Sequence, residues 1–223
     1  MEYSRIGELL QPFLVTPLPF SGSTAHPLTV RQLACISTYI DLLLRWNARI
    51  NLTAVRDPEK VVTRHFGESL CAARAMAATR SSAPARLADV GSGSGFPGLA
   101  IKIFVPEFLV TLIESNHKKA TFLREVIRAL DLTGVDVFPK RAEDFPPASA
   151  DVVTLRAVER FDSILPVAAG LVAPGGTLLL LIGRDQQARA AAHPQFAWRQ
   201  GWILPGSSNR VLLVGNRAPE PKE

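Results

Sequence analysis

The sequence predicts an α/β protein of Rossmann-like architecture, with a mostly parallel sheet covered on both faces by helices, an antiparallel C-terminal hairpin and an N-terminal helical extension. Three observations predict it. From about residue 84 onward, short apolar runs alternate with helical patterns, as in a parallel sheet buried on both sides. The segment Leu87 to Gly98 reads as a strand that turns through alternating glycines into a helix. Near the end, two strand-like runs, Phe196 to Leu204 and Arg210 to Val214, are joined by Pro205-Gly206-Ser207-Ser208 and read as a β-hairpin.

Taken in order, the first element expected is a long amphipathic helix. Thr29 and Gln32 form a capping-box pair, and Leu33, Ile36, Ile40 and Leu43 then recur at helical spacing through Trp46. No element is assigned to the first 28 residues, where Pro12, Pro17 and Pro19 interrupt the apolar stretch from Phe13 to Phe20 and make it unlike a signal-peptide core. Asp57-Pro58 supplies an N-cap followed by a proline at the first helical position, starting a helix toward His65, with a further helical stretch from Glu68 to Ala78. Ser81, Ser82 and Pro84 read as a linker, which divides the chain into an extension, 1–83, and a ligand-binding domain, 84–216. Strands are expected at Arg86 to Val90, Leu109 to Glu114, Val135 to Phe138, Asp151 to Leu155 and Thr177 to Ile182, with a helix from about Lys118 to Leu130 whose stripe is Leu123, Val126, Ile127 and Leu130. Residues 217–223 are polar and expected to fray.

Composition bounds the function. A chain of 223 residues that is 47% hydrophobic can bury one core plus a modest extension. Its apolar runs, such as Leu178 to Ile182, are far too short for a membrane-spanning helix, so a cytoplasmic monomer is the default expectation. Cys35 and Cys71 lie far apart among apolar residues and are expected to be buried free thiols. His26, His65, His117 and His193 show no ligand spacing, so no metal is expected. Twenty-five Lys and Arg against twenty Asp and Glu leave a formal charge of +5, which suits a polyanionic partner but equally describes a solvated surface.

The informative segment is Asp89-Val90-Gly91-Ser92-Gly93-Ser94-Gly95-Phe96-Pro97-Gly98. Glycines let a ligand approach the backbone, and the following helix offers free N–H groups and the positive end of its dipole. Gly93-x-Gly95-x-x-Gly98 also satisfies the dinucleotide fingerprint. Glu114, nineteen residues past Gly95, is placed to accept hydrogen bonds from ribose hydroxyls in either class of protein. Three features favour S-adenosylmethionine over NAD: Asp89 precedes the loop, no second substrate domain fits in the length, and the fold closes with a hairpin.

Further motifs make the likeness specific. Arg45-Trp46-Asn47 leads to Asn51-Leu52-Thr53; then come Arg64-His65-Phe66-Gly67-Glu68-Ser69-Leu70, the glycine loop, Lys118-Lys119 with Phe122-Leu123, and Arg156-Ala157-Val158. Together, from about Trp46 to Gly183, they resemble the bacterial 16S ribosomal RNA guanine-N7 methyltransferase family, the glucose-inhibited division protein B family. The resemblance implies a class I methyltransferase sheet of seven strands with the last antiparallel. It implies Gly91 and Phe96 in the cofactor loop, Ala142 and Glu143 on the adenine side, and Arg156 at the rim after the fourth strand. Two positions depart from the family pattern: Glu68, where Asp is commoner, and Ile182-Gly183, where Lys-Gly is commoner.

The expected cofactor site is therefore Asp89, Gly91, Gly93, Gly95, Phe96, Glu114, Ala142, Glu143 and Arg156. RNA contacts are expected from Arg64, His65, Lys118, Lys119, Arg124 and Arg156, with Lys140 and Arg141 also near the ligand edge and Phe66 or Phe96 as a stacking surface for the target base. Guanine N7 carries a lone pair and no proton, so no catalytic base is required, and His65 and Arg156 are the only candidates near the chemistry. The partner implied is 16S ribosomal RNA or the small subunit. Three other readings stay open at this point: a small-molecule methyltransferase, a small NAD-dependent oxidoreductase, and a non-catalytic RNA-binding protein.

Overall fold

The computed structural model describes residues 1–19, 27–77, 85–157 and 160–220. Phe20, His26, Ala78, the linker Ser81, Ser82 and Pro84 with the boundary it marks, Val158 and the last three residues of the tail lie outside that set.

Eight strands form one sheet: β1 (Arg86–Val90), β2 (Leu109–Ile113), β3 (Val135–Phe138), β4 (Ala150–Arg156), β5 (Val172–Gly183), β6 (Phe196–Trp198), β7 (Trp202–Ile203) and β8 (Arg210–Arg217). Their order is β3-β2-β1-β4-β5-β8-β6, and β7 also pairs with β8. Strands β1 to β5 run parallel. Strand β8 is antiparallel to β5, while β6 and β7 pair with opposite ends of β8 and share one sheet position. The sheet thus has the seven positions and antiparallel closing strand that the resemblance implies. The expected hairpin forms, its first arm interrupted at 199–201.

Side chains alternate across the sheet as the pleat requires. Leu87, Val110, Leu112, Leu179, Leu181 and Leu212 join one core, and Ala88, Ile113, Leu155, Leu178, Leu180 and Leu213 join the other. The first core is shared with α1 (Tyr3–Val15), α2 (Val30–Asn47), α4 (Glu68–Ala77), α5 (Gly98–Phe104) and α6 (His117–Ala129); the second lies under α7 (Phe161–Leu171) and α8 (Arg184–Ala191). In α2 the expected capping box is present: Gln32 N–H donates to Thr29 Oγ1 (3.2 Å) and Thr29 N–H to Gln32 Oε1 (2.9 Å). No helix among the described residues is long and apolar enough to cross a membrane.

Three sequence expectations change. Residues 3–15 form α1, an element not anticipated: Ile6, Leu10, Phe13 and Leu14 are buried at helical spacing, and Pro12 sits inside the helix. The segment from Asp57 is one continuous run, α3 (Pro58–Val61), a π-helical stretch Val62–Gly67, and α4. Cys71 is buried, whereas Cys35 is only half-buried; both thiols are free.

Strand order places the site. The chain leaves β1 toward β2 on one side and reaches β4 on the other, so a crevice opens beyond their C-terminal ends, where open α/β sheets bind ligands.

Candidate functional site

The glycine loop spans that crevice. Gly93 (φ +56°) and Gly95 (φ +86°) adopt backbone that L side chains rarely do. A Cβ on Gly93 would meet nothing nearer than Gly91 O at 3.7 Å and would project into open space above the loop. A Cβ on Gly95 would fall on Leu99 Cδ1 (2.7 Å) and the Tyr39 hydroxyl below it. The loop is therefore a cradle, open above and packed tightly beneath.

Asp89 lies on the packed side. Only 1% exposed, it accepts hydrogen bonds from Thr154 Oγ1 (2.7 Å) and Gly98 N–H (3.1 Å), so its carboxylate fastens the first turn of α5 to β1 and β4. A brace beneath the loop is what this geometry makes of a residue expected at the ligand. Burial raises its pKa to about 6, against the opposing pull of its hydrogen bonds. Glu114, beyond the end of β2, reaches the loop directly: Oε2 accepts from Gly93 N–H (2.9 Å) and Oε1 from Asn116 N–H (2.8 Å). Each oxygen keeps a second lone pair for a hydroxyl donor. Ala142 is buried and Glu143 exposed in a short 3₁₀ turn after β3.

Tyr39, which sequence reasoning did not single out, anchors the loop from α2. Its hydroxyl donates to Ser94 O (2.5 Å), and its ring stacks on Phe96 at 5.1 Å and 12°. On the other side of Phe96 lies His65, at 4.8 Å and 26°, and Phe66 meets Phe96 edge-on at 4.9 Å. Phe66 and Phe96 are 0% and 4% exposed, so neither presents a face on which a target base could stack, which corrects that expectation.

His65 is buried within a polar chain. Thr53 Oγ1 lies 2.9 Å from its Nε2, and Arg156 Nη2 lies 3.0 Å from its Nδ1. An arginine can only donate, so Nδ1 accepts and the proton sits on Nε2, which donates to Thr53. The Asn-Leu-Thr motif explains Thr53's position: Asn47 Oδ1 accepts from Leu52 and Thr53 N–H, and Asn47 Nδ2 donates to Thr53 O. Arg156 turns inward as well. Its side chain is 8% exposed and donates to Glu68 Oε2 (3.1 Å) and to Arg64 O (2.9 Å), a carbonyl in the π-helical stretch. Arg210, from the start of β8, meets the same Glu68 oxygen at 2.5 Å. Sequence gave no signal for this convergence, which joins residues 142 positions apart.

Burial pushes the pKa of His65 well below its usual value, helped by the positive charges of Arg156, Arg64 and Arg210. A neutral imidazole whose one lone pair is already used cannot serve as a base. Buried as they are, His65 and Arg156 do not offer RNA an exposed face. Arg64, Lys118 and Arg124 are exposed and Lys119 half-buried. Lys118 and Lys119 begin α6 at the ligand edge, their N–H groups capped by Asn116 Oδ1, while Arg124 lies roughly 9 Å further along the helix.

Two of these groups should give opposite pH dependences. His65 stays neutral in the fold but protonates in the unfolded chain below about pH 6.5, so its contribution falls as pH falls. Asp89 binds its proton more tightly folded than unfolded, so its contribution rises as pH falls through the window from about pH 6 to about pH 4. Relative to the unchanged protein, His65→Gln should gain stability between pH 7 and about pH 5 and Asp89→Asn should lose it. Urea unfolding at the two pH values checks this; parallel shifts in both variants would rule it out.

Comparison with known proteins agrees with this geometry. The family model described as rRNA small subunit methyltransferase G matches residues 32–201. The chain is 41% identical over 185 residues to a ribosomal RNA small subunit methyltransferase G from Xanthomonas euvesicatoria pv. vesicatoria, covering 82% of this chain and 84% of that one. It is 43% identical over 201 residues to the protein of the same name from Chloroflexus aggregans, covering 88% and 81%. Among solved structures, a ribosomal protein L11 methylase from Lactobacillus delbrueckii subsp. bulgaricus superposes with a TM-score of 0.57 at 14% identity, covering 70% of this chain and 79% of that one. A SAM-dependent methyltransferase from Aquifex aeolicus gives 0.56 at 12%, covering 73% and 94%. At such identities these two speak for the fold alone.

Proposed function

From the premise that this chain belongs to the rRNA small subunit methyltransferase G family, we propose that it transfers a methyl group from S-adenosylmethionine to N7 of a guanine in 16S ribosomal RNA. The dinucleotide reading of the glycine loop falls with the family match. The reading places the protein in the cytoplasm with its substrate.

The observation that carries the cofactor assignment is the cradle at Gly93, where a Cβ would occupy the space a ligand needs, with the Glu114 carboxylate bonded to the same residue's N–H. Gly91, Gly93 and Gly95 present backbone to the ligand, and Glu114 has lone pairs for ribose hydroxyls. The Ala142 amide and Glu143 stand beyond β3 on the adenine side, Phe96 supports the loop from within its stack, and Arg156 closes the rim. When bound, the cofactor supplies an electrophilic methyl on a sulfonium.

The chain's own contribution is placement. Neither His65 nor Asp89 is free to act as a base: His65 has spent its Nδ1 lone pair on Arg156, and Asp89 lies beneath the loop with both oxygens engaged. Guanine N7 needs none, since it has a lone pair and no proton. After β4 the chain reads Leu155-Arg156-Ala157, without the Asn/Asp-Pro-Pro-aromatic motif of enzymes that methylate exocyclic amines. Holding the nucleophile in line can supply about 7–11 kcal/mol of barrier reduction.

The test is transfer of tritiated methyl to unmodified small-subunit RNA and particles, followed by nucleoside digestion. Label is expected in 7-methylguanosine, and kcat should not rise with pH above neutrality, because no proton leaves the nucleophile. Label in another nucleoside would discard the N7 assignment; no transfer despite cofactor binding would discard RNA as acceptor.

A further inference from the structure

Between α1, the π-helical stretch and the turn before β8 lies a cleft of about 790 Å³, within the range of roughly 300–1,000 Å³ that accommodates small ligands. Leu9 and Pro12 of α1 give it an apolar wall, and Ser207 and Ser208 of the turn give it a polar one. Arg64 and Arg210 supply its positive charge. The cleft lies at the same edge of the sheet as the crevice described above. Arg210 faces Gly183, the last residue of β5, and shares the Glu68 oxygen with Arg156 at the end of β4.

Two features point to an anion. The Arg64 side chain is exposed and has no hydrogen bond or ion pair among the described residues. The buried Arg210 Nε–H has no acceptor, although the same guanidinium bonds Glu68 through Nη2. A donor left without a partner is destabilising, and a phosphate on this guanidinium would supply the missing acceptor. Glu8, the other acid of the wall, is occupied by Arg5 at 3.1 Å.

We propose that this cleft holds an unpaired nucleotide flanking the methylated guanine, its phosphate on Arg64 and Arg210 and its ribose and base along Leu9 and Pro12. The proposal rests on the reading of the chain as an RNA methyltransferase, and it gives the unanticipated helix α1 a role as one wall of an RNA channel. Single strands suit such a site, because an unstacked base and its phosphate can be held separately.

The experiment compares the full-length protein with Arg64→Gln and Ser208→Asp for binding to unmodified small-subunit RNA across a salt series, alongside cofactor affinity and thermal stability. Ser208 is exposed on the turn, so an added carboxylate changes the field of the cleft without disturbing the core. Arg64→Gln should weaken RNA binding about tenfold, the loss of one charge-assisted contact, and Ser208→Asp should weaken it by repelling the phosphate, with cofactor affinity and stability unchanged in both. Arg64→Gln should also lower the log-log salt slope by about 0.7. Undiminished RNA affinity in both variants would overturn the cleft while leaving methyl transfer by the unchanged protein intact. Weakened binding in variants of a protein that transfers no methyl would support the cleft and sink the reading it rests on. No RNA binding by the unchanged protein would remove both.

Discussion

Glu68→Gln is expected to destabilise the fold by about 3–5 kcal/mol. Glu68 is 3% exposed and, among the described residues, is the one carboxylate bonded to the guanidiniums of Arg156 and Arg210, whose side chains are 8% and 19% exposed. Glutamine fits the space and keeps one carbonyl oxygen, so packing is nearly preserved and the loss is electrostatic. Two largely buried cations would then face each other, with Arg64 nearby and no carboxylate bonded to either among the described residues. Removing Arg210 alone should cost less, because its side chain is the more exposed and Arg156 remains to neutralise Glu68. Glu68→Asp keeps the charge on a shorter arm, and it is the residue the family resemblance more often places here. It should recover most of the stability lost in Glu68→Gln if charge is the cause. Urea unfolding of the three variants measures this, and equal destabilisation by Asp and Gln would shift the cause from charge to reach.

The same cluster marks how far the sequence could be read. Strands β1 to β5 and helices α2 and α6 were legible because period and burial coincide: Ile36, Ile40 and Leu43 recur on one stripe of α2 and are buried, as are Leu123 and Val126 on α6. Helix α1 was not, because Pro12, Pro17 and Pro19 read as breakers and hid the spacing of Ile6, Leu10, Phe13 and Leu14. Packing overrides the proline here. The Phe13 ring lies where a Cβ on Gly67 would be, at 2.6–2.7 Å, so α1 docks closely on the π-helical stretch.

Within the site, the glycine loop and Glu114 were legible because they belong to one strand-helix-strand unit whose geometry is local. Asp89 was drawn to the ligand by its place beside the loop, but the pleat of β1 turns it toward Thr154 and Gly98. Contacts made by tertiary packing carried no linear signal. Tyr39 sits in the apolar stripe of α2 and looks like core until its hydroxyl is seen on Ser94 O. Arg210 reaches Glu68 only because β8 runs antiparallel to β5 and begins at the ligand edge. Trp46 likewise reads as the end of a helix, and its indole N–H is donated to Glu125 on α6 (3.0 Å).

Alanine at Gly93 and at Gly95 should separate binding from stability. Both positions have positive φ, so each substitution carries about 1–2 kcal/mol of backbone strain. At Gly93 nothing more is expected of the fold, since the nearest atom to the new Cβ is Gly91 O at 3.7 Å. The methyl instead stands in the open space over the loop, and cofactor affinity should fall at least a hundredfold, about 2.7 kcal/mol. At Gly95 the new Cβ meets Leu99 at 2.7 Å, Leu123 at 3.1 Å and the Tyr39 hydroxyl, all on the packed side. Overpacking adds about 1–3 kcal/mol to the strain, and the Tyr39–Phe96–His65 stack must shift, so stability and affinity should fall together. Calorimetric titration with S-adenosylmethionine beside urea unfolding resolves the two cases. If Gly93→Ala binds the cofactor normally while remaining folded, the ligand does not lie over this loop and the cofactor site must be sought elsewhere along the sheet edge; if Gly95→Ala keeps full stability, the stack beneath the loop is looser than these contacts require.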